Sequence, residues 1–170
     1  MSDERTGSIE RVWDIIEKVE VGMLTTHFRD GMRARPMEAR PDRRDGVIWF
    51  VTDVRGYKDD EIRAAPEVGL VFIDHKAKAY VSITARAEVR RDPAKAAEIW
   101  HRTDDVWWPG GASDPNVRLL RLEPATAELW DGPASAAVAA FEFAKARLTG
   151  AKPDLGENRK VTVAMERSRG

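Results

Sequence analysis

The chain has 170 residues, 42% of them apolar and 34% charged, with a net charge of −1. That suffices for one domain with a substantial core, and so balanced a charge gives no footprint for nucleic acid or an anionic membrane surface. The absence of cysteine excludes a disulfide framework, a thiolate nucleophile and a cysteine-ligated metal.

Residues 1–8 read as a loose tail with Ser8 as a helix N-cap. No hydrophobic signal core stands there, and no apolar run reaches membrane-spanning length, so a cytoplasmic protein is expected. Ile9, Val12, Trp13, Ile16 and Val19 then follow helical spacing, with one apolar face. Val21 to His27 reads as a strand, Arg29-Asp30-Gly31 as a hairpin turn, and Met32 to Arg40 as the returning strand. Pro36 lies inside that strand and has no N–H for a ladder, so it must mark an edge or an opening. Asp42 to Gly46 is a second turn and Val47 to Thr52 a third, buried strand. After a loop at Asp53 to Gly56, a short helix starts at Lys58, shows Ile62 and Ala65 on one face, and stops at Pro66.

Val68 to Ile73 reads as a fourth strand, Asp74 to Lys78 as a charged turn, and Ala79 to Arg90 as a long fifth strand. Asp92-Pro93 is a strong helix start, and the helix is expected to reach about Arg102. Thr103 to Asn116, with Trp107-Trp108-Pro109-Gly110-Gly111, reads as an ordered loop. Arg118 to Glu123 and Ala127 to Trp130 read as two strands separated by Pro124. Ala134 to Leu148 is an alanine-rich helix ended by Gly150, and Val161 to Val163 a short strand. No internal repeat or second domain is visible. The expectation is one domain over residues 1–170, with its core at about 9–163 and loose tails at 1–8 and 164–170. The fold class is mainly β with peripheral helices (α+β). Its roughly six to seven antiparallel strands, joined by tight turns, close into a barrel that removes sheet edges.

No G-x-S-x-G, P-loop or G-x-G-x-x-G signature is present. His27, His75 and His101 lack metal-ligand spacing, so no metal site is assigned. Asp59-Asp60-Glu61 and Asp104-Asp105 read as helix-end charges or a solvated face. What remains suits binding. A strand feeds a loop, and the loop feeds a helix whose first turn carries Lys58. Free backbone N–H groups, the positive dipole end and one ammonium make a small phosphate site, although a strand, a turn and a surface lysine account for the same residues. The second strand carries Arg33 and Arg35 on one side, Met32 and Ala34 on the other. If it pairs with the WFVT strand, an arginine and a threonine lie beside exposed backbone and an aromatic ring, a surface for a flat heteroaromatic group. Six tryptophans mark a core, an interface or a planar ligand.

An ordered set of motifs carries a resemblance: Arg35-Pro36-Met37, Trp49-Phe50-Val51-Thr52, Lys58, Glu61-Ile62, Pro66, Val68, Tyr80-Val81-Ser82, Trp107-Trp108-Pro109-Gly110-Gly111, Asp114-Pro115 and Ala127-Glu128-Leu129-Trp130-Asp131. Together they resemble the general stress protein branch of the flavin-binding split-barrel superfamily, which also holds pyridoxamine 5′-phosphate oxidase. The resemblance implies an FMN-binding split β-barrel homodimer, with two flavin mononucleotide sites at the subunit interface. It implies that Arg35, Pro36, Met37, Val51 and Thr52 line the isoalloxazine ring and that Lys58 holds the phosphate. Tyr80 belongs to the same implied site. The Trp107-Trp108 loop either approaches the partner's flavin or packs the dimer. Relatives usually carry a serine shortly before the lysine. Here the loop reads Arg55-Gly56-Tyr57-Lys58, leaving Arg55 or the Tyr57 hydroxyl to replace it. The usual glycine after the YVS strand is Ala85. The C-terminal segment with which pyridoxamine phosphate oxidases hold their substrate is not recognisable, so the resemblance carries a cofactor fold rather than that reaction.

Three functions fit these residues. One is a flavin-dependent oxidoreductase linked to stress response, passing electrons from NAD(P)H to a small acceptor that the sequence does not specify. The second is a flavin storage or sensing protein. The third is a dimeric scaffold with no flavin, or one taking deazaflavin or haem, for which His27 and His75 are the candidate axial ligands.

Overall fold

The computed structural model describes residues 2–56, 58–131, 144–150 and 161–165. Helix α1 spans Ser2–Val19 and buries Val12, Trp13, Ile15 and Ile16 against the sheet. It starts six residues before Ser8, so most of the expected N-terminal tail is helix and Ser8 lies inside it rather than capping it.

Two hairpins follow: β1 (Val21–Phe28) with β2 (Gly31–Glu38), and β3 (Arg40–Asp42) with β4 (Val47–Asp53). Helix α2 (Lys58–Ala64) leads into β5 (Glu67–Asp74) and β6 (Ala79–Arg90), and α3 (Pro93–Ile99) precedes β7 (Val117–Trp130) and the short β8 (Val161–Ala164). Every ladder is antiparallel, and the strand order is β2-β1-β5-β6-β7-β4-β3, with β8 on β7.

That order fixes the shape. β2 and β3 are opposite edges of the sheet, yet only Ala39 separates them in the chain. The sheet must therefore curl until its edges meet, and what closes it is a continuous chain rather than a hydrogen-bonded ladder. Ala39 N–H donates to Glu20 C=O at 2.6 Å, tying this junction to the end of α1. The result is a split barrel with an open seam beside β2. Pro36 lies on β2, so the proline marks an edge as expected.

Three further elements differ from the sequence reading. The returning strand Met32 to Arg40 breaks at Ala39 into β2 and β3. The two strands around Pro124 are one strand, β7. Pro124 pairs with Ala85, where the β6 register shifts between Thr84 and Ala85, and such an irregularity tolerates the missing N–H. The helix capped by Asp92, whose Oδ1 accepts from Lys95 N–H at 2.9 Å, ends at Ile99 because Trp100 is extended. Separate 3₁₀ turns follow at Arg102–Val106 and Gly111–Ser113. The predicted helix Ala134 to Leu148 lies for its greater part outside the described residues.

β4 faces two cores, which is why it reads as a continuous apolar run. Ile48 and Phe50 join the barrel interior with Leu24, Leu70, Phe72, Ile83 and Leu120. Val47 and Trp49 join a smaller cluster outside the barrel with Ala96, Trp108, Val117 and Leu119, edged by Val51 and Trp100. Among the described residues no helix is long and apolar enough to cross a membrane.

Candidate functional site

The alternation of β1 turns Gly22, Leu24 and Thr26 inward, and Thr26 is fully buried. A hydroxyl among inward apolar residues needs a partner, and it has two. Its Oγ1–H donates to Glu61 Oε2 at 2.5 Å, and Oγ1 accepts from Arg35 Nη1 at 3.0 Å. Arg35 Nη2 also donates to Glu61 Oε2, at 2.9 Å. The three residues come from β1, β2 and α2 and close a small polar ring inside one end of the barrel. Burial pushes the Glu61 carboxyl up, but the Thr26 hydroxyl and the Arg35 guanidinium outweigh it and hold the group below its ordinary value. The Glu61 side chain is only 2% exposed, against 21% for Arg35. Beside the ring, a cavity of about 500 Å³ opens between the β1–β2 turn and α2, walled by His27, Phe28, Arg29, Asp60, Glu61, Ala64 and Ala65. The Arg33 guanidinium lies 3.6 Å from the centre of the Phe28 ring.

The sequence reading took Asp59-Asp60-Glu61 for helix-end or solvated charges. Asp60 is exposed, but Asp59 and Glu61 are buried, because α2 lies across the inner face of the hairpin. Asp104 is likewise buried: its carboxylate accepts from Arg40 Nη2 and from His101 N–H, and so pins the 3₁₀ turn to β3. His101 sits at the start of that turn, with Nδ1 3.0 Å from Glu38 Oε1. Thr26 and Glu61 are the site residues that sequence reasoning missed. The signal for Thr26 was present, as a polar residue at an inward position of an alternating strand.

β2 and β4 do not pair. Among the described residues β2 bonds only β1, while β4 lies between β7 and β3. β2 and β4 therefore approach each other across the seam without sharing a ladder. Met37 packs on the barrel interior, and Pro36 faces outward on the exposed edge, in register with Met23. Val51 belongs to the outer cluster. Thr52 points inward, and its buried Oγ1 has no hydrogen-bond partner among the described residues.

The loop after β4 forms the rim. Arg55 Nε and Nη2 clamp Asp53 at 2.8 and 2.5 Å, and Arg55 N–H donates to the same carboxylate at 2.7 Å. This clamp holds Asp53 far below the usual carboxylate range; burial opposes it, and Trp108 Nε1–H, donating at 3.1 Å, adds to it. Tyr57 and the Lys58 side chain lie outside the described residues, although the backbone of α2 begins at Lys58. Trp107 and Trp108 divide their roles. Trp108 is 7% exposed and fills the outer cluster against Trp100, while Trp107 is 73% exposed at the tip. Gly111, at φ +69°, supplies the left-handed turn that closes this loop. Tyr80 faces outward on β6, in register with Ile73 and Trp130.

The curled antiparallel sheet, its seam and the polar ring at one end define a protein of the split-barrel class. The family described as "Pyridoxamine 5′-phosphate oxidase like" matches residues 7–154; the chain belongs to that family. Several similar proteins are named general stress proteins. The crystal structure of a general stress protein 26 from Jannaschia sp. CCS1 is 32% identical, covers 96% of this chain and 99% of its own, and superposes with a TM-score of 0.75. The general stress FMN/FAD binding protein from Xanthomonas citri is 29% identical, with 74% of this chain and 89% of its own covered and a TM-score of 0.66. Among curated proteins, General stress protein 26 of Bacillus subtilis (strain 168) is 26% identical over 119 residues, 68% of this chain and 82% of that protein.

Proposed function

We propose that the protein binds FMN and uses it as an oxidoreductase on a small acceptor, in a stress response. The observation that carries this reading is Thr52. Its buried hydroxyl lacks a partner among the described residues, at the end of the strand that runs through the rim loop to the N-terminus of α2. Leaving such a group unpaired costs about 1–3 kcal/mol, and an acceptor on a ring bound at the seam would relieve it. The Xanthomonas relative, a general stress FMN/FAD binding protein, supports the same ligand class. Arg35, Pro36, Met37, Val51 and Thr52 would hold the ring, and Lys58, with Tyr57 and Arg55 near it, the phosphate. The flavin supplies hydride and electron transfer; the chain binds it, orients it and shields it from water.

We also propose that two copies pair through the outer sheet face. Val21, Met23, Met32, Ile73 and Tyr80 are exposed by 39–63%, and the registers put all five on one face of β2-β1-β5-β6. An apolar sheet face of this kind marks an interface, and Tyr80 would lie within it. Replacing Ile73 with Arg should halve the mass in light scattering; a wild type that elutes as a monomer would end this part of the proposal.

The first test of flavin binding is the visible spectrum of the purified protein, before and after adding FMN and desalting. Bands in the near-ultraviolet and blue at about one flavin per chain are expected; a protein that retains no colour would turn attention to deazaflavin, haem or a scaffold role. Lys58→Ala should weaken FMN binding by ~1.5–3 kcal/mol, about tenfold to a hundredfold, and leave riboflavin nearly unaffected. Equal losses for both would mean that Lys58 does not meet the phosphate. Oxidation of NAD(P)H by the loaded protein then separates an oxidoreductase from a store of flavin.

A further inference from the structure

We propose that Glu61 and Thr26 are positioning residues: they hold the Arg35 guanidinium so that its free edge presents donors to a ligand's anionic or carbonyl oxygens at the seam. A guanidinium is a rigid planar fork of N–H donors. Arg35 spends one donor of Nη1 on Thr26 and one of Nη2 on Glu61, so the end of the fork faces into the barrel. Nε–H and the outer Nη–H groups lie on its other edges. The ring fixes every role in it. Thr26 has one proton, which goes to Glu61 at 2.5 Å, so toward Arg35 its oxygen can only accept. Glu61 is buried in the barrel and anchored on α2, which leaves the guanidinium little freedom to rotate. A buried carboxylate that only neutralised a surface arginine would gain little from burial. One that also accepts the hydrogen bond of the threonine hydroxyl sets the direction of the fork.

The inference rests on the flavin reading for the identity of the ligand, and on the ring alone for the positioning. The test is a double-mutant cycle on FMN affinity, read by flavin fluorescence, with inorganic phosphate titrated in parallel by calorimetry. Thr26→Val keeps the shape and removes the hydroxyl; Glu61→Gln keeps an acceptor; Arg35→Ala removes the group being positioned. Circular dichroism confirms that each variant is folded. Thr26→Val should raise the FMN Kd about threefold to tenfold, the loss expected for one hydrogen bond. In the Arg35→Ala background the same change should have no effect. Glu61→Gln, whose oxygen still accepts from both partners but carries no charge, should raise the FMN Kd by a similar factor, and that change too should vanish in the Arg35→Ala background. An equal loss from Thr26→Val with and without Arg35 would show a merely structural hydroxyl and overturn the inference. If the wild type binds phosphate but not FMN, the flavin reading falls alone and the cycle is read on phosphate. If it binds neither, the inference falls as well.

Discussion

Two arginines flank the seam end of this barrel, and each is held by a carboxylate, yet by different means. Arg55 is clamped by Asp53, two residues away, on a rim where its side chain is 68% exposed. Arg35 is held by Glu61, 26 residues away on another element, and by Thr26 on a third. Its carboxylate is buried, so the interaction exists only because the fold brings three elements together. The Arg55 contact is made within one local turn. The lesson concerns strength and purpose. An exposed pair is screened and contributes little, whereas a buried one is costly to break and so dictates where its partners stand.

The largest expected effect breaks the inner ring. Glu61→Ala leaves Arg35 and Thr26 without their acceptor and should lower unfolding free energy by about 3 kcal/mol, measured by urea denaturation. Glu61→Ala combined with Arg35→Ala should recover part of that loss, because no uncompensated charge then remains. Next comes the rim's own anchor. Trp108 is buried in the outer cluster, so Trp108→Ala should cost about 3 kcal/mol. The neighbouring Trp107, exposed at the tip, should change stability by less than ~0.5 kcal/mol when replaced by Ala. Equal losses at the two tryptophans would mean that the rim loop is packed in a way the fold does not account for.

The same contrast explains how much was legible in the sequence. Local patterns carried the strands: the alternation of Ala79 to Arg90 gave β6 with both ends correct, and Asp92-Pro93 gave the start of α3. Pro36 announced the barrel edge, because the missing N–H is a property of that residue alone. What could not be read was anything set by the curl of the sheet. The break at Ala39 is invisible in a polar stretch, since it reflects the meeting of two edges rather than a local preference. Pro124 looked like an end because nothing near it in sequence reveals the irregular pairing with Ala85. Glu61 looked like a helix-end charge because its partners lie 26 and 35 residues away. Of the polar ring, Arg35 alone was singled out as a binding residue, and its partners were not legible. The expected pairing of the RPM and WFVT strands failed for the same reason, since the two strands approach each other only across the seam.

The smallest effects belong to the rim pair, and acid separates them from those of the ring. Asp53 is held below the usual carboxylate range by Arg55 first, against burial, and then by Trp108. A carboxylate with a depressed folded value contributes stability that is present above its unfolded value, about pH 4, and lost as pH falls below it. Asp53→Asn removes that titration, so the gap in melting temperature between it and the wild type should be constant above about pH 5 and narrow from about pH 4 to pH 2. Arg55→Ala leaves the Trp108 bond and the backbone N–H at position 55 in place. Its melting temperature at neutral pH should fall only slightly below the wild type, because the pair is exposed, and that small gap should close as pH falls from about 4 to 2. Glu61 is also held below its ordinary value and is untouched by either change, so a residual acid limb must survive in both variants. If Arg55→Ala lowered the neutral melting temperature as much as Trp108→Ala does, the clamp would be part of the packed structure, and the division between a fold-dictated ring and a local rim would not hold.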